Sequence, residues 1–252
     1  KHFEEHIGFL GQLLGQEGSA VKAVSGVDVA VRRGETLGLV GESGSGKTTL
    51  ARTILRLTDP TRGKIAVLGK EISDLSTREL QPLRSRMQMI FQDPTSSLSP
   101  RMKVSSLLME PYVIHSVPKE ERRSVEELLA MVGLPPEQAE KYPHQLSGGQ
   151  ARRLGIARAL ALEPDVLLAD EPTAGLDVSV AAGLLNLLKD LRERLDLTYI
   201  IITHNLNVIG FISDRVAVMY LGQIVELAET EALFESPRHP YTEALLSAIP
   251  VP

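Results

Sequence analysis

Residues 41–48 read Gly-Glu-Ser-Gly-Ser-Gly-Lys-Thr, the types and spacing needed to hold a polyphosphate. Glycines let the chain curl until backbone N–H groups point inward. Lys47 supplies a point charge for β- and γ-phosphates, and Thr48 supplies a hydroxyl suited to Mg²⁺. An apolar run, 37–40, precedes the loop, and a helix-like stretch, 49–55, follows it. A strand therefore delivers the chain, and a helix N-terminus, opening at Thr49, adds its positive end. A second chemical segment is 166–171, Val-Leu-Leu-Ala-Asp-Glu, an apolar strand ending in two carboxylates. Beside a loop of this kind, Asp170 would hold Mg²⁺ directly or through water, and Glu171 would polarise an attacking water as a general base. A third is 146–150, Leu-Ser-Gly-Gly-Gln. It is a glycine-rich helix start offering N–H groups and the Ser147 hydroxyl to phosphate, with no lysine. A plain serine cap followed by glycines has the same appearance.

The elements that must position these groups follow from pattern. Residues 21–31 alternate loosely and read as strands, and 35–40 is a buried strand feeding the loop. Residues 63–68 form a short strand closed by a Gly69 turn, and 87–91 is an apolar strand ending at Gln92. The middle third is different. Stretches 104–112, 119–131 and 138–142 look helical, punctuated by Pro100, Pro111, Pro118 and the Pro135-Pro136 pair. Residues 149–161 are a helix carrying Arg152, Arg153 and Arg158. Residues 166–169 are a buried strand, 178–195 a long amphipathic helix, and 197–202 another buried strand. Strand, helix, strand after residue 160 implies a parallel sheet with crossover helices, and the helical middle would stand off that sheet as an insert.

Composition bounds the answer. At 252 residues the chain can bury a large core. Its 27 basic and 32 acidic side chains leave a net charge of −5, without the basic excess of a dedicated nucleic-acid binder. The absence of Cys excludes disulfides, thiolate metal sites and a cysteine nucleophile, and fits a reducing compartment. No apolar run approaches the length that spans a bilayer, and no secretory signal is visible. Lys1 is not a natural start, which suggests trimming. With no Trp and 4% aromatic residues, Leu, Val, Ile and Ala must build the core.

The stretch Leu146-Ser147-Gly148-Gly149-Gln150 resembles the signature of ATP-binding cassette ATPases, and five further motifs stand in the family's order. These are the phosphate loop, Gln92 after Met89-Ile90-Phe91, the pair Asp170-Glu171, Ala174-Gly175-Leu176-Asp177, and His204 after Ile200-Ile201-Ile202-Thr203. Alone, Gln92 reads as a surface amide and His204 as a strand-end histidine. The resemblance implies a P-loop NTPase fold of α/β class, with a mixed β-sheet, an N-terminal antiparallel β subdomain and an inserted α-helical subdomain. Residues 1–92 and 162–235 would form the ATP-binding core, 93–161 the helical insert and 236–252 a C-terminal helical extension. ATP and Mg²⁺ are implied. Gly41, Ser43, Gly44, Gly46, Lys47, Thr48 and Thr49 would bind the nucleotide on one chain, and Ser147, Gly148, Gly149, Gln150 and Asp177 on another. Thr48, Asp170 and Gln92 would serve the metal, Glu171 and His204 the chemistry. The family stacks an aromatic on adenine; Phe3 fits that place, or is a minor core residue.

The likeness narrows to the oligopeptide/dipeptide importer subfamily over residues 91–102, Tyr142-Pro143-His144-Gln145, 213–222 and 236–242. It covers nearly the whole chain and is weakest over 1–20. Ala151 stands where Arg is usual, and Gly175 is an uncommon choice in its loop. The subfamily often carries a Cys-bearing tail able to hold an iron–sulfur cluster; this sequence stops at Pro252 without Cys, which leaves open whether such a tail is missing, and no cluster is assigned. The implied partners are a second ATPase subunit (the same chain or a paralogue), transmembrane permease subunits, and indirectly a solute-binding protein. The implied place is peripheral, on the cytoplasmic face of the membrane. The segment 93–112 is expected to dock the permease, with Leu98 and Met102 exposed before the helix. Two other classes share the cassette. DNA-repair and chromosome ATPases split loop from signature with long coiled coils, but Lys47 and Gln145 lie only 98 positions apart without heptads. Translation factors carry two cassettes, and this chain carries one. Among importers, nickel or oligosaccharide remain alternatives to peptides.

Overall fold

The computed structural model describes residues 1–4, 20–93 and 98–248. Strands β1 (Phe3–Glu4) and β2 (Ala20–Val21) pair antiparallel. Strand β3 (Thr36–Val40) runs into the glycine-rich loop and α1 (Lys47–Ile54). A small antiparallel pair, β4 (Ala66–Val67) and β5 (Lys70–Glu71), precedes α2 (Thr77–Arg84) and β6 (Met87–Ile90). The middle contributes α3 (Val104–Ile114), α4 (Val125–Met131) and α5 (Gly148–Leu160). Then follow β7 (Val166–Asp170), α6 (Val178–Leu195), β8 (Thr198–Ile202), α7 (Leu206–Ile212), β9 (Arg215–Tyr220), β10 (Gln223–Glu229), α8 (Thr230–Glu235) and α9 (Pro240–Ser247).

Six strands form the central sheet in the order β10-β9-β3-β8-β7-β6, parallel except for β10. Strands β3 and β8 are buried along their whole length, and β7 along nearly all of it, which is why they read as continuous apolar runs. Successive side chains still part to opposite faces. Leu167, Ala169, Ile201, Val216 and Val218 join one core with Leu184 and Leu188 of α6. Leu168, Ile200, Ala217 and Met219 join the other with Leu50 and Ala51 of α1 and Leu55 at its C-cap. Each fully buried Leu or Ile contributes about 1.5–3 kcal/mol.

The helices of the inserted middle pack onto the sheet: Leu107, Leu108, Leu128 and Leu154 share the first core with it. Several finer expectations are corrected. The single helix expected over 119–131 breaks into a 3-10 turn, Lys119–Glu121, and α4. The break falls at Ser124, which caps α4 reciprocally with Glu127, a stronger start signal than propensity. The stretch 138–142 contains the end of a 3-10 turn, Pro136–Glu140, not an α-helix. Of 21–31, Val21 alone lies in a strand, yet Val27, Val29 and Val31 remain half-buried between exposed Asp28 and Ala30, so the alternation is real without a ladder. Leu98 is 2% exposed and Met102 packs on the same core, so neither offers a free apolar surface.

Candidate active site

The carboxyl ends of β3, β8, β7 and β6 lie side by side, and the candidate groups follow them directly. Leu39 pairs with Ile202, Ile202 with Asp170, and Ala169 with Ile90. That register sets the phosphate loop, His204, the acidic pair and Gln92 along one rim of the sheet, where parallel α/β folds bind ligands. The loop's shape needs glycine at two points. Gly41 has φ 149° and Gly46 φ 105°, and a Cβ would overlap the Met219 carbonyl at the first and that of Ala23 at the second. Lys47 Nζ donates to the carbonyls of Gly41 and Glu42, each at 2.7 Å, and reaches Ser45 Oγ at 3.4 Å. Burial lowers the Lys47 pKa, against the pull of Glu171, Asp170 and Glu42. Ser43 and Gly44 are exposed, and Thr49 is half-buried beside Thr48 at the start of α1.

Thr48 Oγ1 donates to Asp170 Oδ2 at 3.1 Å. Burial holds the Asp170 carboxyl above the usual range; the Glu171 charge adds to this and the Thr48 hydroxyl opposes it. Glu171 accepts from three donors: Thr203 Oγ1 at 2.9 Å, the His204 N–H at 3.0 Å and His204 Nδ1 at 2.6 Å. Its backbone stands at φ 49°, a left-handed conformation rare outside glycine and costing of order 1–3 kcal/mol. Surrounding bonds impose it. The Glu171 N–H donates to Ile202 O at 2.8 Å, and its own carbonyl accepts from Ala174 N–H at 3.1 Å and Arg152 at 2.9 Å.

Ser147 caps α5 reciprocally with Gln150, so the plain-cap reading of this segment is also true. Gly148 and Gly149 face Leu176 and Val180, and a Cβ on Gly149 would come within 2.7 Å of Val180 Cγ1. The signature thus abuts the 174–177 loop of its own chain. Asp177 sits at the N-cap of α6 without using its side chain as a cap, and is exposed. Among the described residues, no hydrogen bond or ion pair joins Ser147–Gln150 to the phosphate loop. Gln92 is exposed beyond the end of β6, beside the acidic pair. Phe3 has its backbone paired with Val21, and Lys1 exchanges bonds with Val24 near the loop, but its side chain lies outside the described residues.

Three participants escaped the sequence reading. Thr203 is fully buried and orients Glu171. Arg152 is buried on α5 and bridges the carbonyls of Glu171 and Ala174, the second at 2.7 Å. Burial lowers its pKa, opposed by the charges of Asp93 and Glu171. Tyr241 on α9 accepts the Glu42 N–H of the phosphate loop at 3.1 Å across 199 positions of sequence. Thr203 adjoins His204 in sequence, and Arg152 reads there as one of three basic residues on a helix; a contact as remote as Tyr241 leaves no local signal.

This rim, with its loop, acidic pair and signature, defines a cassette ATPase fold. Residues 24–174 match the family model described as ABC transporter, and the chain belongs to that family. Residues 225–252 match the model described as oligopeptide/dipeptide transporter, C-terminal region. The chain is 51% identical to the oligopeptide transport ATP-binding protein AppF of Bacillus subtilis over 92% of its own length and 71% of that protein's. It is 51% identical to a putative peptide import ATP-binding protein of Brucella ovis, over 93% and 74%. Among solved structures it is similar to the ATP-binding cassette MJ0796 in a dimeric post-hydrolysis state bound to ADP and Pi, with TM-score 0.77, 29% identity and coverage of 91% and 96%. It is also similar to cbiO1 of Clostridium perfringens, part of the complex cbiONQ, with TM-score 0.78, 30% identity and coverage of 87% and 86%. Among the described residues, no helix is long and apolar enough to cross a membrane.

Proposed function

We propose that this chain is the ATP-hydrolysing subunit of an importer for oligopeptides or dipeptides, seated peripherally on the cytoplasmic face of the membrane. The observation that carries the ATPase reading is the Glu171 carboxylate, fixed by three donors beside the Thr48–Asp170 pair. The names of the relatives and the match over 225–252 support peptides over nickel or oligosaccharide as the solute class. ATP lies between Gly41, Ser43, Gly44, Gly46, Lys47, Thr48 and Thr49 of one subunit and Ser147, Gly148, Gly149, Gln150 and Asp177 of a second, with Phe3 on the adenine. The partner subunit is a second copy or a paralogue.

The residues present fit Mg²⁺. Thr48 and Asp170 offer hard oxygen donors, with the Gln92 amide at the same rim. Mg²⁺ is commonly bound by one or two carboxylates together with substrate phosphates and water, which these donors allow. Held by Thr48 and Asp170, Mg²⁺ would supply positive charge to offset the negative charge that develops on the phosphates. Lys47 leaves its loop carbonyls for the β- and γ-phosphates. Glu171, steadied by Thr203, accepts the proton of the water that attacks the γ-phosphorus as the β–γ bridging P–O bond breaks. His204, bound to Glu171 through Nδ1, presents its exposed edge to the γ-phosphate.

The permease docks next to Gln92. A groove of about 260 Å³ between β6 and helices α3 and α5 is lined by Leu57, Phe91, Pro111, Ile114, His115 and Arg158. Phe91 and Ile114 are exposed, and Phe91 adjoins Gln92, so one segment reports both nucleotide and partner. An amphipathic helix suits such a groove. The ATPase reading is tested by Glu171→Gln, expected to keep ATP binding and lose turnover by on the order of 10²-fold or more, the scale of a positioned base. Near-normal turnover in that variant would remove Glu171 from the chemistry.

A further inference from the structure

We propose that Tyr241, on the C-terminal helix, is a positioning residue of the phosphate loop: its hydroxyl holds the loop in its binding shape once Lys47 turns away to the nucleotide. The proposal rests on the reading of residues 41–48 as the nucleotide loop. The peptide groups around Glu42 are gripped from two directions. The Glu42 N–H donates to Tyr241 Oη at 3.1 Å, and the Glu42 carbonyl accepts from Lys47 Nζ at 2.7 Å. An ammonium has three donors, and Gly41 O, Glu42 O and Ser45 Oγ occupy all three. Lys47 cannot bind phosphate oxygens without releasing these loop atoms. The tether to Tyr241 does not depend on Lys47 and persists through that exchange.

Tyr241 is aimed by a chain of local contacts. Glu226 on β10 accepts the N–H groups of Arg238 at 2.9 Å and His239 at 3.0 Å, pinning the start of α9. His239 Nδ1 then accepts the Tyr241 N–H at 3.1 Å, and Pro240 opens the helix with its φ already set. The Tyr241 ring rests on that of Tyr220, with centroids 4.3 Å apart. Tyr220 ends β9, and two residues on, the Gly222 N–H donates to Ser45 O at 2.9 Å. The loop is therefore held at Glu42 by α9 and at Ser45 by the β9–β10 turn, and the two supports touch through the tyrosine pair. Tyr241 lies outside the 24–174 cassette match and inside the 225–252 match. The C-terminal region thereby contributes to nucleotide affinity by keeping the loop preorganised.

Tyr241→Phe in the full chain removes one oxygen and keeps the ring, its stacking and the helix. Hydrogen exchange at the Glu42 amide, the Kd for Mg·ATP, KM, kcat and Tm are measured together. The expected result is faster exchange at Glu42 and a Kd and KM raised by about 2- to 10-fold, the scale of one net hydrogen bond. The kcat at saturation and the amide protection of α9 should stay as in the parent, and Tm should fall by no more than the few degrees that one hydrogen bond accounts for. Tyr220→Leu, which removes the ring support, should shift Kd in the same direction. Unchanged Kd and KM in Tyr241→Phe would overturn the proposal. So would a loss of Tm and of α9 protection without a change in KM, which marks a purely structural contact. Lys47→Ala separates the underlying reading: if it leaves ATP binding intact, residues 41–48 are not the nucleotide loop.

Discussion

Asp170 and Glu171 are adjacent carboxylates in different settings. Glu171 is surrounded by donors, while Asp170 has one hydroxyl and is 4% exposed. Burial raises the Asp170 pKa, so its charged form is disfavoured in the folded state relative to the unfolded chain. A group with a raised acid pKa withdraws stability above that value. The deficit is relieved as pH falls through the folded value, and is gone below the unfolded one. Asp170→Asn, of nearly equal shape, should raise the Tm of the nucleotide-free chain at pH 7, by about 2–4 °C for each kcal/mol relieved. The advantage should shrink as the pH is lowered into the carboxylate range. The same variant should lose Mg²⁺-dependent hydrolysis. Thermal melts from pH 4 to pH 8 check the first point, and an advantage that grows on acidification would contradict it. The sequence displayed both carboxylates but not this contrast, because burial and the Thr203 hydroxyl arrive from other strands.

At the scale of elements, α5 links the Leu-Ser-Gly-Gly-Gln segment to the turn that carries Glu171. Its guanidinium at Arg152 bonds carbonyls at both ends of the turn from Glu171 to Ala174. Arg152→Ala would strip the Ala174 carbonyl of this partner and leave the Glu171 carbonyl with the Ala174 N–H alone, at about 1–3 kcal/mol of stability in all. Turnover should fall with it as the strained Glu171 backbone relaxes. Arg152→Lys, keeping donors, should recover part of both in denaturant titration and single-turnover assays; equal behaviour of the two variants would argue against the bridge. Gly149 is a second element-scale constraint. Gly149→Ala should cost about 1–3 kcal/mol through overpacking on Val180, and Val180→Ala should restore most of it. Here the sequence was legible at the ends of elements and less so between them. The Ser76 and Ser124 capping boxes are plain S-x-x-E signals once sought. The 3-10 turns at 119–121 and 136–140 defeated periodicity because they are too short to show one.

The molecule as a whole presents a phosphate loop and a signature with no bond between them among its described residues. The similar cassette MJ0796 is dimeric. Each ATP in our reading bridges two subunits, so ATP should drive dimerisation by mass action. Sedimentation of Glu171→Gln should show monomer without nucleotide and dimer with it; a dimer indifferent to ATP would contradict the shared site. For the permease groove, Phe91→Glu and Ile114→Glu should abolish complex assembly and transport while leaving ATP binding by the separate subunit intact. Normal assembly in both would place the docking face elsewhere. The earlier expectation of Leu98 and Met102 failed because tertiary packing, not position in the loop, decides which apolar side chains stay exposed.

What the sequence determined by itself is which candidate groups follow the strands of the rim. Glycines at 41, 44 and 46, the Lys47-Thr48 pair, Asp170-Glu171 and His204 follow buried strands directly. A parallel sheet sets the carboxyl ends of its strands along one edge, so the strand pattern alone nearly fixed where these candidate groups meet. The continuous apolar runs of β3, β7 and β8 likewise announced strands covered on both faces. Only the tertiary structure decided what steadies that chemistry. Thr203 and His204 converge on one carboxylate, Arg152 reaches from α5 to the turn after Glu171, and Tyr241 reaches the loop across 199 positions of sequence. Such contacts depend on side-chain direction and burial after the layers have packed. Short-range spacing carries no record of them, because the partners are distant in sequence and meet only through the fold.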